Sequence, residues 1–299
     1  MLVDNVEDAF IRSVVVPISD WLYKKNKGVK MTKYNLDYTE NMLFLAIHNG
    51  HDISTHIREK IGISDNDRMR EEDPFTERFI QDKKNQIIQY TSRFEYDLNR
   101  KREKAVYQKP DDCWGLPIYP DFTLSGDEIS DALKAYDYFY HEIDSVIGNF
   151  LNRYENLLIW DIHSYNHRRA GNGESFDSDV LNPEIIIGTN NNRYIDKKWL
   201  PLIEWIQKRL SNIELEKYIG DNRSLKSRTL DVRQNVKFPG GHLSQYLNSK
   251  YHPRVCCLAI EFKKIWMNEW TQEIDFNIFL ELKRVFDLVC NEIHISDFA

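Results

Sequence analysis

Four apolar runs of strand length constrain this chain more than any other feature: residues 41–47, 156–162, 183–188 and 255–261. Each is too short for a buried helix and too continuous for a half-exposed strand, the pattern of strands buried on both faces. Three of them stop at chemistry-bearing residues. The first runs into His48, Asn49, Gly50, His51 and Asp52, the second into His163, Ser164, Tyr165, Asn166 and His167, and the fourth ends on Glu261. Between the runs, apolar residues recur at helical spacing over 127–154, 196–213 and 276–293. Strands alternating with helices predict a three-layer α/β/α fold with a mostly parallel or mixed central sheet. In such sheets ligands bind outside the carboxyl ends of the strands, where the polar clusters fall. Two long segments rich in Pro, Gly, Asp and Asn, 107–127 and 166–182, read as functional loops.

With 299 residues and no linker or repeat, the chain reads as one domain over 1–299, with 1–40 as an N-terminal extension packed on it. The lysine-rich stretch 20–38 reads as a solvated edge or helix face. A charged fraction of 29% and a mean hydropathy of -0.58 argue against a membrane protein. The net charge of -7 repels a phosphate backbone, so nucleic acid is not an expected partner. Cys113, Cys256, Cys257 and Cys290 lack the spacing of a thiolate zinc knuckle and are expected as reduced, buried thiols, which fits a cytoplasmic protein. The first residues carry Asp4, Glu7, Asp8 and Arg12 and do not resemble a secretory signal.

His48 and His163 follow apolar strands at corresponding places, so two strand ends converge on one point that suits a divalent cation. Either histidine alone reads as a turn residue; the pairing points to metal. A catalytic site needs a third ligand, and the acidic segment 70–78 is its best source. There Asp73 and Pro74 also have the form of a helix cap followed by a first-turn proline. Glu261 arrives where the other strands deliver histidines and has the place of a general base, with a surface pair to Lys263 or Lys264 as the alternative. Asp161, on the same side of its strand as His163, is placed either to orient that imidazole or to make a structural hydrogen bond at the strand end. Arg93, Asn99 and Arg100 flank a short alternating segment, and guanidinium groups suit a substrate carboxylate, although a surface ion pair explains a single arginine equally well. Gly240 and Gly241 mark a turn, either a plain one between elements or one that lets backbone approach a ligand closely.

In this order the segments resemble the N-formylglutamate amidohydrolase family, which implies a phosphorylase/hydrolase-like fold related to that of the zinc carboxypeptidases. The resemblance spans about residues 41–270 and rests on ordered motifs: His48, Asn49, Gly50; the acidic stretch from Glu72 to Glu77; Asp97, Leu98, Asn99, Arg100; Asp161, Ile162, His163, Ser164; Gly240, Gly241; and Ile260, Glu261. It implies one zinc ion per chain held by His48, Asp73 and His163, with Glu72 as the substitute for Asp73 should the alignment slip by one. It implies Glu261 as general base and acid, and Asn99 and Arg100, with Arg93 nearby, as the holders of a substrate carboxylate. The expected activity is zinc-dependent hydrolysis of the amide bond of a small N-acyl amino acid such as N-formylglutamate. The alternatives are a peptide or cell-wall amide hydrolase of the same fold and a non-catalytic carboxylate-binding member. The departures from the family pattern, Asn49, His242 and the run Phe262, Lys263, Lys264, Ile265, Trp266, touch the pocket lining more than the metal set.

Overall fold

The computed structural model describes residues 15–17, 32–216 and 229–298. In chain order they form strands β1 (Val15–Pro17), β2 (Thr32–Asn35) and β3 (Met42–Ala46), then helices α1 (Thr55–Arg58), α2 (Asp65–Glu71) and α3 (Thr76–Ile80). Next come β4 (Gln86–Gln89), α4 (Gly126–Leu151), β5 (Leu157–Tyr165), β6 (Ile185–Gly188) and α5 (Leu200–Asn212). The chain closes with β7 (Val232–Gln234), α6 (His242–Lys250), β8 (Val255–Lys263), β9 (Glu273–Asp275) and α7 (Phe276–Glu292).

The central sheet is mixed, as expected. Its seven strands run β2-β4-β3-β5-β8-β6-β7, with β4, β3, β5 and β8 parallel, β2 and β6 antiparallel to their inner neighbours, and β7 parallel to β6. Period-two alternation assigns each strand residue to one of two apolar layers. Phe44, Leu158, Trp160 and Leu258 face one layer with α5 and α7, while Leu43, Leu45, Leu157, Ile159 and Cys257 face the other with α4 and α6. Trp160 is fully buried, parallel to Phe44 at 6.3 Å and edge-on to Phe286 at 5.4 Å. This pair of layers is the core that holds the strand ends rigid.

The long helices start where local signals say they should. Ser125 accepts from the Glu128 amide and Glu128 reaches back to the Ser125 amide, a capping box that opens α4. Asp275 caps α7 in the same sense, accepting from Asn277 and Ile278. α5 begins later than the predicted residue 196 because Asp196 caps a separate 3-10 turn, Lys197–Trp199, that precedes it.

β5 and β8 outlast their apolar runs. β5 continues to Tyr165 and β8 to Lys263, so His163 and Glu261 lie within strands and are register partners, not residues of the loops beyond. The ladder bonds are made by backbone and continue through polar side chains. Of the lysine-rich stretch, Thr32–Asn35 forms edge strand β2, whereas 18–31 lies outside the described residues, as does 1–14 of the expected extension. β1 pairs with β9 in a separate two-stranded ribbon. The four cysteines are free and buried. No helix among the described residues is long and apolar enough to cross a membrane.

Candidate active site

At the carboxyl ends of β3, β5 and β8 the backbone delivers His48, His163 and Glu261 to one cavity of about 250 Å³. Asp73 enters from the bend between α2 and α3. It is not a helix cap: α3 is preceded by Phe75 in the left-handed conformation, and no side chain caps it. The Asp73 carbonyl takes the Thr76 hydroxyl at 2.7 Å, which leaves its carboxylate turned into the sheet. There Oδ2 lies 3.4 Å from His48 Nδ1 and 3.0 Å from His163 Nδ1, all three residues being buried. These ligand atoms lie within 4.8 Å of one another.

The backs of the two imidazoles decide what the fronts can do. His48 Nε2 donates to Asp97 Oδ1 at 2.7 Å, and His163 Nε2 lies 3.1 Å from Asp161 Oδ2, off the line of a hydrogen bond. With the ring protons assigned to Nε2 by those carboxylates, both Nδ1 atoms present lone pairs toward Asp73 Oδ2. Three lone pairs that converge in a buried space require a positive charge between them, and carboxylate-backed imidazoles with a third carboxylate form a donor set that fits zinc and other divalent ions. The electrostatics agree. Burial alone raises the Asp73 carboxyl, but the donors and positive charge that His163 and His48 present to it when protonated outweigh burial and hold Asp73 well below the usual carboxylate range. Burial disfavours a charged His163, yet Asp161 and Asp73 overcome it and raise that imidazole well above its ordinary value. A site this hungry for a proton is hungry for a cation in the same position.

Glu72 is elsewhere. Its carboxylate bonds His51 and the Ser92 hydroxyl and meets Arg68 at 3.3 Å, so of the two adjacent acids only Asp73 meets the histidines. Glu261 is partly buried on the cavity wall, and burial pushes its carboxyl up to about 7, opposed by His163 and reinforced by Asp73. The anticipated surface pair with a lysine does not form. Lys263 is buried and bonds the Asn182 carbonyl, with Glu184 3.4 Å away. Lys264 is also buried and gives its three protons to the carbonyls of Arg70 and Glu72, both at 2.7 Å, and to Asn166 Oδ1 at 3.0 Å.

Arg93, Asn99 and Arg100 all line the same cavity. Arg93 is not a surface ion pair: it is largely buried, bonds Asp97 Oδ2 at 2.7 Å and stacks on Trp114 at 4.7 Å. Arg100 is more open, bonding the Asp112 carbonyl at 3.3 Å and lying 3.8 Å from Asp97. Asn99 packs against Gly241, where any Cβ would sit 2.1 Å from Asn99 Oδ1. Gly241 therefore opens a place for Asn99, and the Leu243 amide bonds the same Oδ1 at 3.1 Å.

Sequence reasoning missed Asp97 as the support of His48, although it stands first in the Asp97 to Arg100 motif. It also missed the pair of Glu71 with Arg169, a residue of the long 166–182 loop, and Trp114 of the 107–127 loop, all three on the cavity wall. Loop length marked those segments as functional but could not say which side chain turns inward.

The sequence profile described as N-formylglutamate amidohydrolase matches residues 40–267. Among solved structures, an N-formylglutamate amidohydrolase from Ralstonia eutropha JMP134 superposes with a TM-score of 0.66 at 15% identity, covering 87% of this chain and 96% of that one. A gene product from Agrobacterium tumefaciens gives 0.60 at 19% identity, covering 88% and 96%. At these identities the two structures speak for a shared fold. No curated protein matches the chain.

Proposed function

The chain belongs to the N-formylglutamate amidohydrolase family, and on that premise we propose that it is a zinc-dependent hydrolase of the amide bond in small N-acyl amino acids, N-formylglutamate among the candidates. The observation that carries the reading is the convergence of His48 Nδ1, His163 Nδ1 and Asp73 Oδ2, with a carboxylate behind each imidazole. We assign those three residues as the ligands of one zinc ion. When bound, the cation supplies Lewis-acid polarisation of the acyl carbonyl and acidifies water.

The remaining roles fall to groups around it. Glu261, its carboxyl already pushed up to about 7, takes a proton from the attacking water as the water oxygen bonds the acyl carbon. It returns that proton to the nitrogen as the C–N bond breaks, giving a carboxylic acid and an amine. Arg100 and Asn99 hold the substrate carboxylate, and Arg93 steadies Asp97 beside them. A cavity of about 250 Å³ suits a small carboxylated molecule better than a peptide or cell-wall strand. Reduced, buried cysteines support a cytoplasmic setting.

The test is zinc content together with turnover. Glu261→Gln is expected to retain stoichiometric zinc and lose roughly 10²–10⁴-fold in kcat. Near-normal turnover removes Glu261 from the mechanism. A wild-type protein that binds no zinc and cleaves no N-acyl amino acid removes the hydrolase reading.

A further inference from the structure

We propose that Arg169 determines specificity at this site: the open edge of its guanidinium binds an acidic group on the substrate's side chain, at a point separate from the one where Arg100 holds the substrate's first carboxylate. The inference rests on the hydrolase reading and adds the residue that recognises the side chain.

It follows from a chain of contacts along one wall of the cavity, in which arginines alternate with acidic residues. Arg169 is held by the two carboxylate oxygens of Glu71 at 3.1 and 3.0 Å, and the Glu71 carbonyl accepts from Arg93 at 3.3 Å. Arg93 in turn pairs with Asp97 at 2.7 Å, and Arg100 lies 3.8 Å from Asp97 at the far end. The middle of this chain is closed: the Arg93 side chain is 11% exposed and stacks on the Trp114 ring at 4.7 Å. Its two ends are open. Side-chain exposure is 38% at Arg100 and 40% at Arg169, and both line the cavity. Lys264, on the same wall, is buried and gives its three protons to neutral oxygens.

Pairing with Glu71 does not exhaust Arg169. A guanidinium has five N–H donors, and Glu71 accepts one from each Nη. The Nε–H and the second proton of each Nη remain. A carboxylate lying along the Nε edge accepts from two of these in parallel, a geometry that the single ammonium of a lysine does not offer. Nor is Arg169 the sole counter-charge of Glu71, because Arg70 Nε reaches Glu71 Oε1 at 3.2 Å. A substrate carboxylate can therefore share Arg169 without stripping Glu71 of its partners.

The fold also fixes where that edge points. Glu269 is buried and accepts from the amides of His167 and Arg168, and Trp270 Nε1 bonds the Arg168 carbonyl at 2.8 Å, so the backbone entering Arg169 is clamped on both sides. The Trp270 ring carries the Arg70 guanidinium at 4.2 Å, and Arg70 holds Glu71. One tryptophan therefore supports both Arg169 and the carboxylate that grips it. A guanidinium fixed at its backbone and along one edge has little rotamer freedom left to lose, so binding at its other edge is preorganised.

The experiment measures kcat/KM of the full-length, zinc-loaded protein on N-formylglutamate and N-formylglutamine, which match in shape and differ in the charge of the side-chain terminus. The wild type is expected to favour the glutamate compound by roughly tenfold or more. Arg169→Gln is expected to lower that ratio by roughly tenfold, chiefly through KM for the glutamate compound. Arg169→Lys keeps a positive charge for Glu71 but has no second edge, so it is expected to lower the ratio as well and serves where Arg169→Gln does not fold. Arg100→Gln, which removes the holder of the carboxylate common to both compounds, is expected to weaken both alike and preserve the ratio. An ion pair that only stabilises the fold predicts equal losses on the two compounds. An unchanged ratio in a folded Arg169 variant, or a wild type without preference, therefore overturns the inference and leaves the hydrolase reading standing. No cleavage of either compound by the zinc-loaded wild type overturns both.

Discussion

The supports behind His48 and behind His163 are chemically unlike, although the two imidazoles present the same atom to Asp73. Behind His48, Asp97 is saturated: it accepts from His48 Nε2 at 2.7 Å, from Arg93 at 2.7 and 3.2 Å, from the Asn99 amide at 2.8 Å and from the Tyr107 hydroxyl. Behind His163, Asp161 is fully buried in the middle of the sheet, neither of its oxygens has a hydrogen-bond partner, and its strand neighbours are Leu45 and Ala259. Asp97 has its own counter-charge in Arg93. Asp161 has a counter-charge only when His163 carries a proton or leans on a cation. A buried, unpaired carboxylate is costly, so the β5 support makes energetic sense only with positive charge at the centre, whereas the β3 support stands without it.

The largest effect that follows is on His163. His163→Ala removes a ligand and also the single charge opposite Asp161, and it is expected to abolish stoichiometric zinc and cost about 3–5 kcal/mol. His48→Ala is expected to abolish zinc equally but cost only about 1.5–3 kcal/mol, because Asp97 keeps Arg93, Tyr107 and the Asn99 amide. Elemental analysis and denaturant unfolding of both variants check this. Equal stability losses would break the asymmetry.

The supports themselves sharpen it. Asp97→Asn and Asp161→Asn are each expected to weaken zinc binding roughly 10–100-fold. They separate in the metal-free protein. A His163 raised in the folded state adds stability that is fully present below its unfolded value of about 6.5 and is lost as pH rises through the folded value. Metal-free wild type should therefore lose stability as pH rises through that folded value. Asp161→Asn should flatten that profile, costing stability on the acid side and little on the alkaline side. Asp97→Asn should lower stability by about 1–3 kcal/mol throughout, since Arg93 and Tyr107 lose a buried acceptor. Urea unfolding at a series of pH values distinguishes the two, and parallel profiles would refute the difference.

Much of this contrast was written in the sequence, and the part that was not has a physical reason. Asn41 to Ile47 and Leu157 to Ile162 reveal themselves because a strand buried on both faces must be continuously apolar. α4 and α7 carry caps and a 3.6-residue period. β4, with the sequence Gln86, Ile87, Ile88, Gln89, was not anticipated: its polar ends are buried, so no continuous apolar run marks it, and there Gln86 Nε2 bonds the Lys83 and Gln81 carbonyls while Gln89 bonds Tyr96 and, across the sheet, Thr32. Asp161 could be paired with His163 on strand periodicity alone, two residues apart on one face. Asp97 could not, because it lies 49 residues from His48 and meets it only through the fold. The same applies to Glu71 and Arg169, 98 residues apart.

The smallest expected effect tests whether the saturated side also governs substrate placement. Gly241 has no room for a methyl group: a Cβ would lie 2.1 to 2.2 Å from the Asn99 amide atoms. Those atoms end a side chain, so Gly241→Ala can be accommodated if Asn99 turns away. That movement would cost the bond from the Leu243 amide and displace a group beside Arg100, while Asp97 keeps its ties to Arg93 and Tyr107. Gly241→Ala is therefore expected to leave zinc content unchanged and raise KM by roughly tenfold, with a lesser effect on kcat, as loss of uniform binding requires. Steady-state kinetics beside a zinc assay read this directly. If zinc is lost along with KM, Asn99 is coupled to the metal centre through Asp97, and the support of His48 is less self-sufficient than its hydrogen bonds indicate.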